Sequence, residues 1–279
     1  MEALSSGTIP VPTVTPAERW CKNALVIIPT YNEAENITEM ITAIRNLQTN
    51  FRIGILVVDS NSPDGTGKRL EELKKDISSL QVLHQPRKMG LGFAYLDGFQ
   101  YFQKNLLDQY QAVVTMDADF SHNPKYLPLL LEQLDRFDVV VGSRYVTGGG
   151  LDKWSQKRIW LSRFANAYAK FLTGIRLNDL TSGFHCFRSH ALQQILRHKI
   201  SAEGYAFLIE LKFRATLEGF RISEIPVVVA DRTKGQSKIS KRVILESMII
   251  PWKMFYQRLL HRIQIRDTSI QRLAERTQN

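Results

Sequence analysis

Val113-Val114-Thr115-Met116-Asp117-Ala118-Asp119-Phe120 runs from apolar, β-prone residues straight into two carboxylates one position apart. A buried strand that delivers two acidic side chains at its end is stable only where water reaches them or cationic charge sits beside them. Two readings therefore stand side by side: a divalent cation held by Asp117 and Asp119, or a surface turn whose aspartates face solvent. The fold depends on whether the rest of the chain repeats this strand-then-turn form.

Upstream, Ala24-Leu25-Val26-Ile27-Ile28-Pro29 is a short apolar run closed by proline, the pattern of a parallel strand buried on both faces. Thr30-Tyr31-Asn32-Glu33 follows as a turn, and Ile37, Met40, Ile41, Ile44 and Leu47 then carry helical spacing. Ile53-Gly54-Ile55-Leu56-Val57-Val58-Asp59 repeats the form and leads into Ser60-Asn61-Ser62-Pro63-Asp64-Gly65-Thr66, dense in turn formers. An aspartate at that strand end can accept hydrogen bonds from a base or ribose. Leu70, Leu73 and Ile77 continue as a helix, and Gln81-Val82-Leu83-His84 reads as a third strand.

Gly90-Leu91-Gly92 opens another helix, through Phe93, Leu96 and Phe99. Tyr95 stands where the third glycine of a dinucleotide-binding fingerprint belongs, so that reading fails, while backbone approach to a single phosphate remains. After the Asp117/Asp119 strand, Pro124 starts a helix through Leu127, Leu130 and Leu134. Asp138-Val139-Val140-Val141-Gly142-Ser143-Arg144 is a further buried strand ending in a cation, next to Gly148-Gly149-Gly150. Alternating strands and helices imply right-handed crossovers and a mainly parallel sheet with helices on both faces. Ligands of such sheets bind outside the carboxyl ends of the strands. Glu33, Asp59, Asp117, Asp119 and Arg144 all fall there.

The second half is less regular. Residues 154–177 read as a helix with Trp160, Phe164, Tyr168 and Leu172 apolar and Lys157, Arg158 and Arg163 basic. Asp179-Leu180-Thr181-Ser182-Gly183-Phe184 is a polar loop, residues 205–217 a helix bearing Glu210, and residues 222–229 a late strand. Asp231-Arg232-Thr233-Lys234-Gly235-Gln236-Ser237-Lys238 has a backbone flexible enough to let Arg232 and Lys238 close over a phosphate. From Val243 to Ile263 the chain is amphipathic and aromatic, with Pro251 expected to divide it into two helices. Basic side chains beside Trp252 and Tyr256 suit a helix lying in a membrane interface; packing on the protein's own core is the alternative.

Bulk properties narrow the function. The net charge is +10, and residues 231–279 hold 11 Lys and Arg against 4 Asp and Glu, so most of the excess lies at one end. That points to an anionic partner or to a solvated basic helix. Cys21 and Cys186 lack metal-ligand spacing and form no disulfide framework, which suits a reducing compartment. The first 22 residues, with Pro10, Pro12 and Pro16 among Ser and Thr, read as a flexible lead-in without signal-peptide character. No run of 18 uncharged apolar residues occurs, which argues against a transmembrane helix.

Taken in order, Pro29-Thr30-Tyr31-Asn32-Glu33, Asp59 with Ser62-Pro63-Asp64-Gly65-Thr66, and Asp117-Ala118-Asp119 resemble the motifs of GT-A-fold, Rossmann-like glycosyltransferases of family 2. Gly142-Ser143-Arg144-Tyr145, Asp179-Leu180-Thr181-Ser182-Gly183-Phe184 and Asp231-Arg232-x-x-Gly235-x-Ser237-Lys238 are similar to the dolichol-phosphate mannose synthase branch of that family. The resemblance spans about residues 24–240 and keeps motif order and spacing. It divides the chain into a lead-in (1–22), a GT-A domain (23–240) and basic amphipathic C-terminal helices (241–279).

The resemblance implies inverting transfer of a sugar, mannose by family default, from a nucleoside diphosphate to a polyprenyl or dolichyl phosphate. Pro29, Tyr31, Glu33, Val58 and Ser60 would line the nucleotide pocket. Asp117 and Ala118 would lie near the ribose and diphosphate, and Asp117 with Asp119 would hold Mg²⁺ or Mn²⁺. Arg144 and Arg158 would bind the acceptor phosphate, and Arg232 and Lys238 the donor diphosphate. The catalytic set so implied is Asp117, Asp119 and Arg144. The expected location is peripheral, at the cytoplasmic face of a membrane, with the amphipathic tail or a membrane-embedded partner subunit meeting the lipid.

One departure stands out. The family usually carries two aspartates after its second strand, where this chain has Asp59-Ser60. A neutral serine able to donate leaves GDP-mannose and a UDP-sugar both open as donor, and a non-lipid acceptor as a further alternative. A non-catalytic nucleotide- or nucleic-acid-binding module is disfavoured, because the loops lack aromatics interleaved with basic residues.

Overall fold

Every residue from Ala24 to Ile28 is withdrawn from solvent, with Ala24, Val26 and Ile28 packed into one apolar cluster and Leu25 and Ile27 into another. Such a strand has no wet face, so helices must cover it on both sides. A computed structural model describes residues 21–200, 202, 204–230 and 245–260. In chain order its elements are β1 (Asn23–Thr30), α1 (Ile37–Arg45), β2 (Arg52–Asp59), α2 (Thr66–Asp76), β3 (Leu80–His84), α3 (Leu91–Asn105), β4 (Ala112–Thr115), α4 (Leu127–Gln133), β5 (Val139–Ser143) and β6 (Gly150–Asp152). There follow α5 (Gln156–Thr173), β7 (His185–Arg188), α6 (Ser189–Arg197), α7 (Tyr205–Leu217), β8 (Ile222–Pro226) and β9 (Val228–Ala230). Residues 245–260 form a last helix, α8.

Seven strands make the main sheet in the order β3-β2-β1-β4-β7-β5-β8, all parallel except β7. Helices α1, α2 and α4 cover one face and α3, α6 and α7 the other. Each large apolar side chain so buried stabilises the fold by about 1.5–3 kcal/mol. Strand order reverses between β1 and β4, which opens a crevice at their carboxyl ends. Ile27 pairs with Thr115, and the Met116 N–H donates to the Ile27 carbonyl at 3.3 Å. Extending that register brings Asp117 level with Pro29.

The expected mixed, mainly parallel sheet is therefore present, with three differences of detail. Strand β7 was not legible: four residues, two of them His185 and Arg188, carry no apolar run, yet they bridge β4 and β5 antiparallel. The late strand divides at Val227, where Pro226 has no N–H to extend the ladder, and β9 leaves to pair with β6. Pro251 does not divide α8, which is helical throughout residues 245–260. Proline removes one backbone bond there. Tertiary packing compensates, with Met254 buried in the apolar cluster that includes Ile209 and Phe213 of α7, Ile250 packed against that cluster, and the Tyr168 hydroxyl donating to the Met248 carbonyl at 2.6 Å.

Residues 1–20 of the lead-in lie outside the described residues, whereas Cys21 and Lys22 already belong to the domain. Cys21 is buried, and the Lys22 N–H donates to Gln111 Oε1 at 2.8 Å.

Candidate active site

A cavity of about 460 Å³ opens at the carboxyl ends of β1, β2, β4 and β5. Of the residues expected at a site, Pro29, Tyr31, Glu33, Ser60, Asp117, Ala118, Asp119, Arg144 and Arg158 line it. Two expected contributors do not. Val58 is wholly buried under α3, its side chain against the space above Gly98, and only its carbonyl turns elsewhere, accepting from Thr30 Oγ1 at 3.3 Å. Asp59 is also buried and accepts from the Ser62 N–H and Oγ–H at 3.3 and 2.5 Å, so it is spent on the turn rather than offered to a base or ribose. Arg232 and Lys238 lie outside the described residues.

The Ser62-Pro63-Asp64-Gly65-Thr66 motif is architectural. Asp64 accepts from the Ala34 N–H, the Thr66 N–H and the Thr66 hydroxyl, while the Thr66 hydroxyl and Ser62 Oγ accept from the N–H groups of Glu33 and Asn32. Partial burial raises the Asp64 carboxyl, but those donors outweigh it and hold it below the usual range. Asn32 is thereby kept at φ 56°, in the left-handed region. This aims Tyr31 and Glu33 at the cavity, where the Lys88 ammonium lies 3.9 Å from the Tyr31 ring centroid.

After β4 the chain closes a tight turn over the cavity floor. The Asp117 N–H donates to His122 Nδ1 at 3.0 Å, which places the neutral ring's proton on Nε2. His122 stacks on Phe184 with centroids 4.9 Å apart and 11° between planes. Asp119, almost wholly buried, accepts from the Ser121 N–H and Oγ–H at 3.1 and 2.6 Å through Oδ1. Among the described residues no three His, Cys, Asp or Glu side chains converge into a metal cage of their own. Two carboxylates beside open space nonetheless fit a hard dication of the Mg²⁺ kind, which binds through one or two carboxylates and completes its shell with water and substrate phosphate.

Two arginines line the same cavity. Arg144 forks onto Asp179, donating from Nε and Nη2 at 2.7 Å each, and its Nη2 also donates to Thr181 Oγ1 at 2.7 Å. Asp179 is fully buried; burial pushes its carboxyl up, yet Arg144 overcomes this and holds it below the ordinary range. Ser155 caps α5 by accepting from the Arg158 N–H, and the Arg158 guanidinium then lies 3.6 Å from the Trp154 ring centroid.

Lys212, entirely buried, donates to the carbonyls of Leu180, Ser182 and Leu208 at 2.9, 2.8 and 3.2 Å, pinning the loop that carries Thr181, Ser182 and Gly183 into the cavity. Desolvation lowers its pKa to about 7, against about 10.4 in an unfolded chain. The unfolded state therefore holds a proton that the native state has lost between those values, so this group's penalty is full below pH 7 and relieved as pH rises. The stability of the wild type minus that of Lys212→Met should climb from pH 7 to pH 10, measured by urea unfolding; a flat difference would show that Lys212 does not titrate there.

Sequence reading missed His122, Trp154 and Lys212. Only Lys212 carried a partial signal, a lysine between Leu211 and Phe213 in a mainly apolar helix that also holds Glu210 and Arg214.

Comparison with known proteins adds the family. A model described as glycosyl transferase family 2 matches residues 25–196. The polyprenol monophosphomannose synthase of Mycolicibacterium smegmatis is 41% identical over 238 residues, spanning 85% of this chain and 86% of that protein. The undecaprenyl-phosphate mannosyltransferase of Micrococcus luteus is 37% identical over 225 residues, spanning 81% and 90%. Among solved structures, glucosyl-3-phosphoglycerate synthase from Mycobacterium tuberculosis with Mn²⁺, UDP and glucosyl-3-phosphoglycerate aligns at a TM-score of 0.57 and 18% identity, covering 88% of this chain and 85% of that one. The same enzyme with Mg²⁺ and UDP gives 0.55 at 18% identity, covering 86% and 82%. At such identity the structures establish the fold, which is GT-A. A family match over more than half the chain and two relatives above 30% identity along most of their length decide the rest: this chain belongs to glycosyl transferase family 2 and is a glycosyltransferase.

Proposed function

We propose that the enzyme transfers mannose, with inversion, from a nucleoside diphosphate to a polyprenyl phosphate at a membrane surface. The observation that carries this reading is one cavity lined by Asp117 and Asp119, which follow β4, and by Arg144 and Arg158, which follow β5, with β7 between those two strands. In this reading the carboxylates take a metal-bound diphosphate and the arginines a second phosphate, and the names of the two curated relatives supply mannose as the sugar and a polyprenyl phosphate as the lipid.

In this reading Pro29, Tyr31, Glu33, Ser60 and Ala118 surround the nucleoside, Asp117 and Asp119 hold Mg²⁺ or Mn²⁺, and Arg144 and Arg158 hold the acceptor phosphate. Val58 lies outside the cavity lining and has no part in this reading, and Arg232 and Lys238 are assigned to the donor diphosphate. The cation, when bound, offsets negative charge growing on the departing diphosphate. Arg144 is braced by Asp179 and Arg158 by Trp154, so two anions that repel each other are brought together by side chains already in position. A phosphate monoester has its second pKa near ~6. The acceptor oxygen is therefore already anionic at neutral pH and needs no general base, which agrees with a cavity whose imidazole, His122, is committed at Nδ1 to the Asp117 N–H. Displacement from the face opposite the leaving group gives inversion.

A panel of nucleotide sugars against a short-chain polyprenyl phosphate, with Mg²⁺, Mn²⁺ or chelator, tests the reading. Metal-dependent formation of a mannosyl lipid is the expected result. Metal-independent transfer, or transfer to a non-phosphorylated acceptor only, overturns it.

The membrane seat is proposed on α5 and α8. Trp160, Phe164 and Phe171 of α5 are 72%, 67% and 82% exposed and share one face, flanked by Arg163 and Lys170. Leu245, Met248, Ile249, Trp252, Tyr256 and Leu260 of α8 are exposed as well. Among the described residues no helix is long and apolar enough to cross a membrane. Aromatic side chains edged by cations suit the cytoplasmic leaflet's interface. Because the first turn of α5 carries Arg158, which lines the cavity, an acceptor whose phosphate sits there has an apolar face along which its chain can leave. Trp160→Ser with Phe164→Ser should weaken binding to phosphatidylserine-containing vesicles by about tenfold or more, given roughly 0.8 kcal/mol per buried methylene equivalent. Vesicle binding by the purified chain would make a membrane-embedded partner unnecessary; unaltered binding by the double variant would move the seat elsewhere.

A further inference from the structure

Ser60 replaces the acidic residue that the family resemblance leads one to expect beside the base, and its surroundings decide what a neutral hydroxyl can do there. Ser60 lines the cavity yet is only 5% exposed. Its backbone N–H donates to the Thr30 carbonyl at 3.0 Å, and the Gln85 N–H donates to the Asp59 carbonyl at 2.8 Å. Ser60 and Gln85 thus extend the ladder of β1, β2 and β3 by one rung, side by side at the edge of the cavity. Ser60 Oγ donates to Gln85 Oε1 at 2.7 Å, and Gln85 Nε2 donates to Asp97 Oδ2 on α3 at 2.6 Å. Gln85 is itself buried.

The direction of this relay is set at its far end. A carboxylate only accepts, so Asp97 requires the NH₂ of Gln85; the amide oxygen is then turned toward Ser60. A serine hydroxyl has a single proton, and that oxygen takes it. What remains for a ligand is a serine lone pair.

We infer that Gln85 and Asp97 are specificity-determining positioning residues that make Ser60 an obligate hydrogen-bond acceptor, so the nucleotide base bound here is one with a ring N–H on its pairing edge, guanine or uracil. The inference rests on the nucleotide-sugar reading above. Adenine and cytosine present an unprotonated ring nitrogen at the corresponding position, which faces the serine oxygen as acceptor against acceptor. Ser60 thereby reproduces the polarity of a carboxylate without its charge. It is not the free donor that its chemistry alone allows.

The test is calorimetric titration of the full-length protein with GDP, UDP, ADP and CDP in Mg²⁺, together with the diphosphates of 1-methylguanosine and 3-methyluridine, whose ring N–H is gone. In the wild type, GDP or UDP should bind about tenfold or more tightly than ADP, CDP and its own methylated form, the cost of one buried hydrogen bond left unmade. Comparison of the GDP and UDP arms identifies which of the two bases is used. In Gln85→Met the serine keeps its place but regains a proton to donate, so the ratio to ADP and CDP should fall about tenfold. Asp97→Asn is the second variant, because an amide partner lets Gln85 turn either way; it should lower the same ratio while leaving Gln85 in place. A wild type that prefers ADP or CDP, or a preference unchanged in both variants, overturns the relay alone. Failure to bind any of the nucleotides overturns the donor reading and the relay with it.

Discussion

Asp119→Asn is expected to lower sugar transfer by about a thousandfold while leaving the unfolding midpoint close to that of the wild type. The reason for separating the two effects is local. Asp119 Oδ1 accepts from the Ser121 N–H and hydroxyl, and the amide oxygen of asparagine can accept the same two bonds, so the turn after β4 keeps its closure. The charge is what disappears. If a dication held by Asp117 and Asp119 is worth several kcal/mol to the departing diphosphate, losing one of the two anions that hold it removes roughly 4 kcal/mol, or about three powers of ten. A second readout separates a metal role from a general loss of shape. Wild-type affinity for nucleoside diphosphate should drop when Mg²⁺ is chelated, and that drop should shrink in Asp119→Asn. Transfer at the wild-type rate would remove Asp119 from the proposed site altogether.

Arg144→Ala should strike stability as hard as activity. Asp179 has no solvent exposure, and the guanidinium fork supplies two of its bonds. Truncating the arginine leaves a buried carboxylate hydrogen-bonded by the N–H groups of position 144 and Ser182 and by the Thr181 hydroxyl, with Lys212 as its remaining nearby cation. Breaking one side of a buried pair costs about 3–5 kcal/mol. In a domain of this size that corresponds to roughly 10 °C in Tm. The deficit should narrow in acid, because the folded Asp179 pKa is depressed: the pair's contribution is present above the ordinary carboxylate range and is lost as pH falls through the folded value.

Loss of activity in that variant alone would be uninformative. The double replacement Arg144→Met with Asp179→Leu removes both charges and leaves neither stranded, so it should recover most of the stability but none of the transfer. Recovery of both would mean that Arg144 is purely a strut for the loop at residues 179–184 and that Arg158 alone meets the acceptor phosphate.

The strands that carry these residues were readable because their signal is local. β1, β2, β4 and β5 each contain at least four consecutive buried residues and stop at a turn former or a charge, and that is enough to number them and find their carboxyl ends. Positions immediately after them were likewise readable as cavity positions, and Glu33, Asp117, Asp119 and Arg144 are found there. Asp59 shows the limit of the same logic. It ends a strand just as they do, but whether a carboxylate faces a ligand or its own turn depends on Ser62, whose hydroxyl captures it.

Sequence by itself determined the alternating α/β order, the strand ends after which Asp117 and its fellow site residues fall, and the types of charge delivered there, because each follows from short-range patterns of burial and turn chemistry. Tertiary structure alone decided the rest. β7 inserts between β4 and β5 from some 70 residues away in the chain, Asp179 reaches Arg144 across 35 positions, and Lys212 ties down a loop 30 positions before it. Ser60 has its proton assigned by Gln85, 25 residues on, and by Asp97 beyond it. Hydrogen-bond polarity and buried charge are settled by the nearest partner in space, and that partner is chosen by how the strands and helices stack, which no local pattern records.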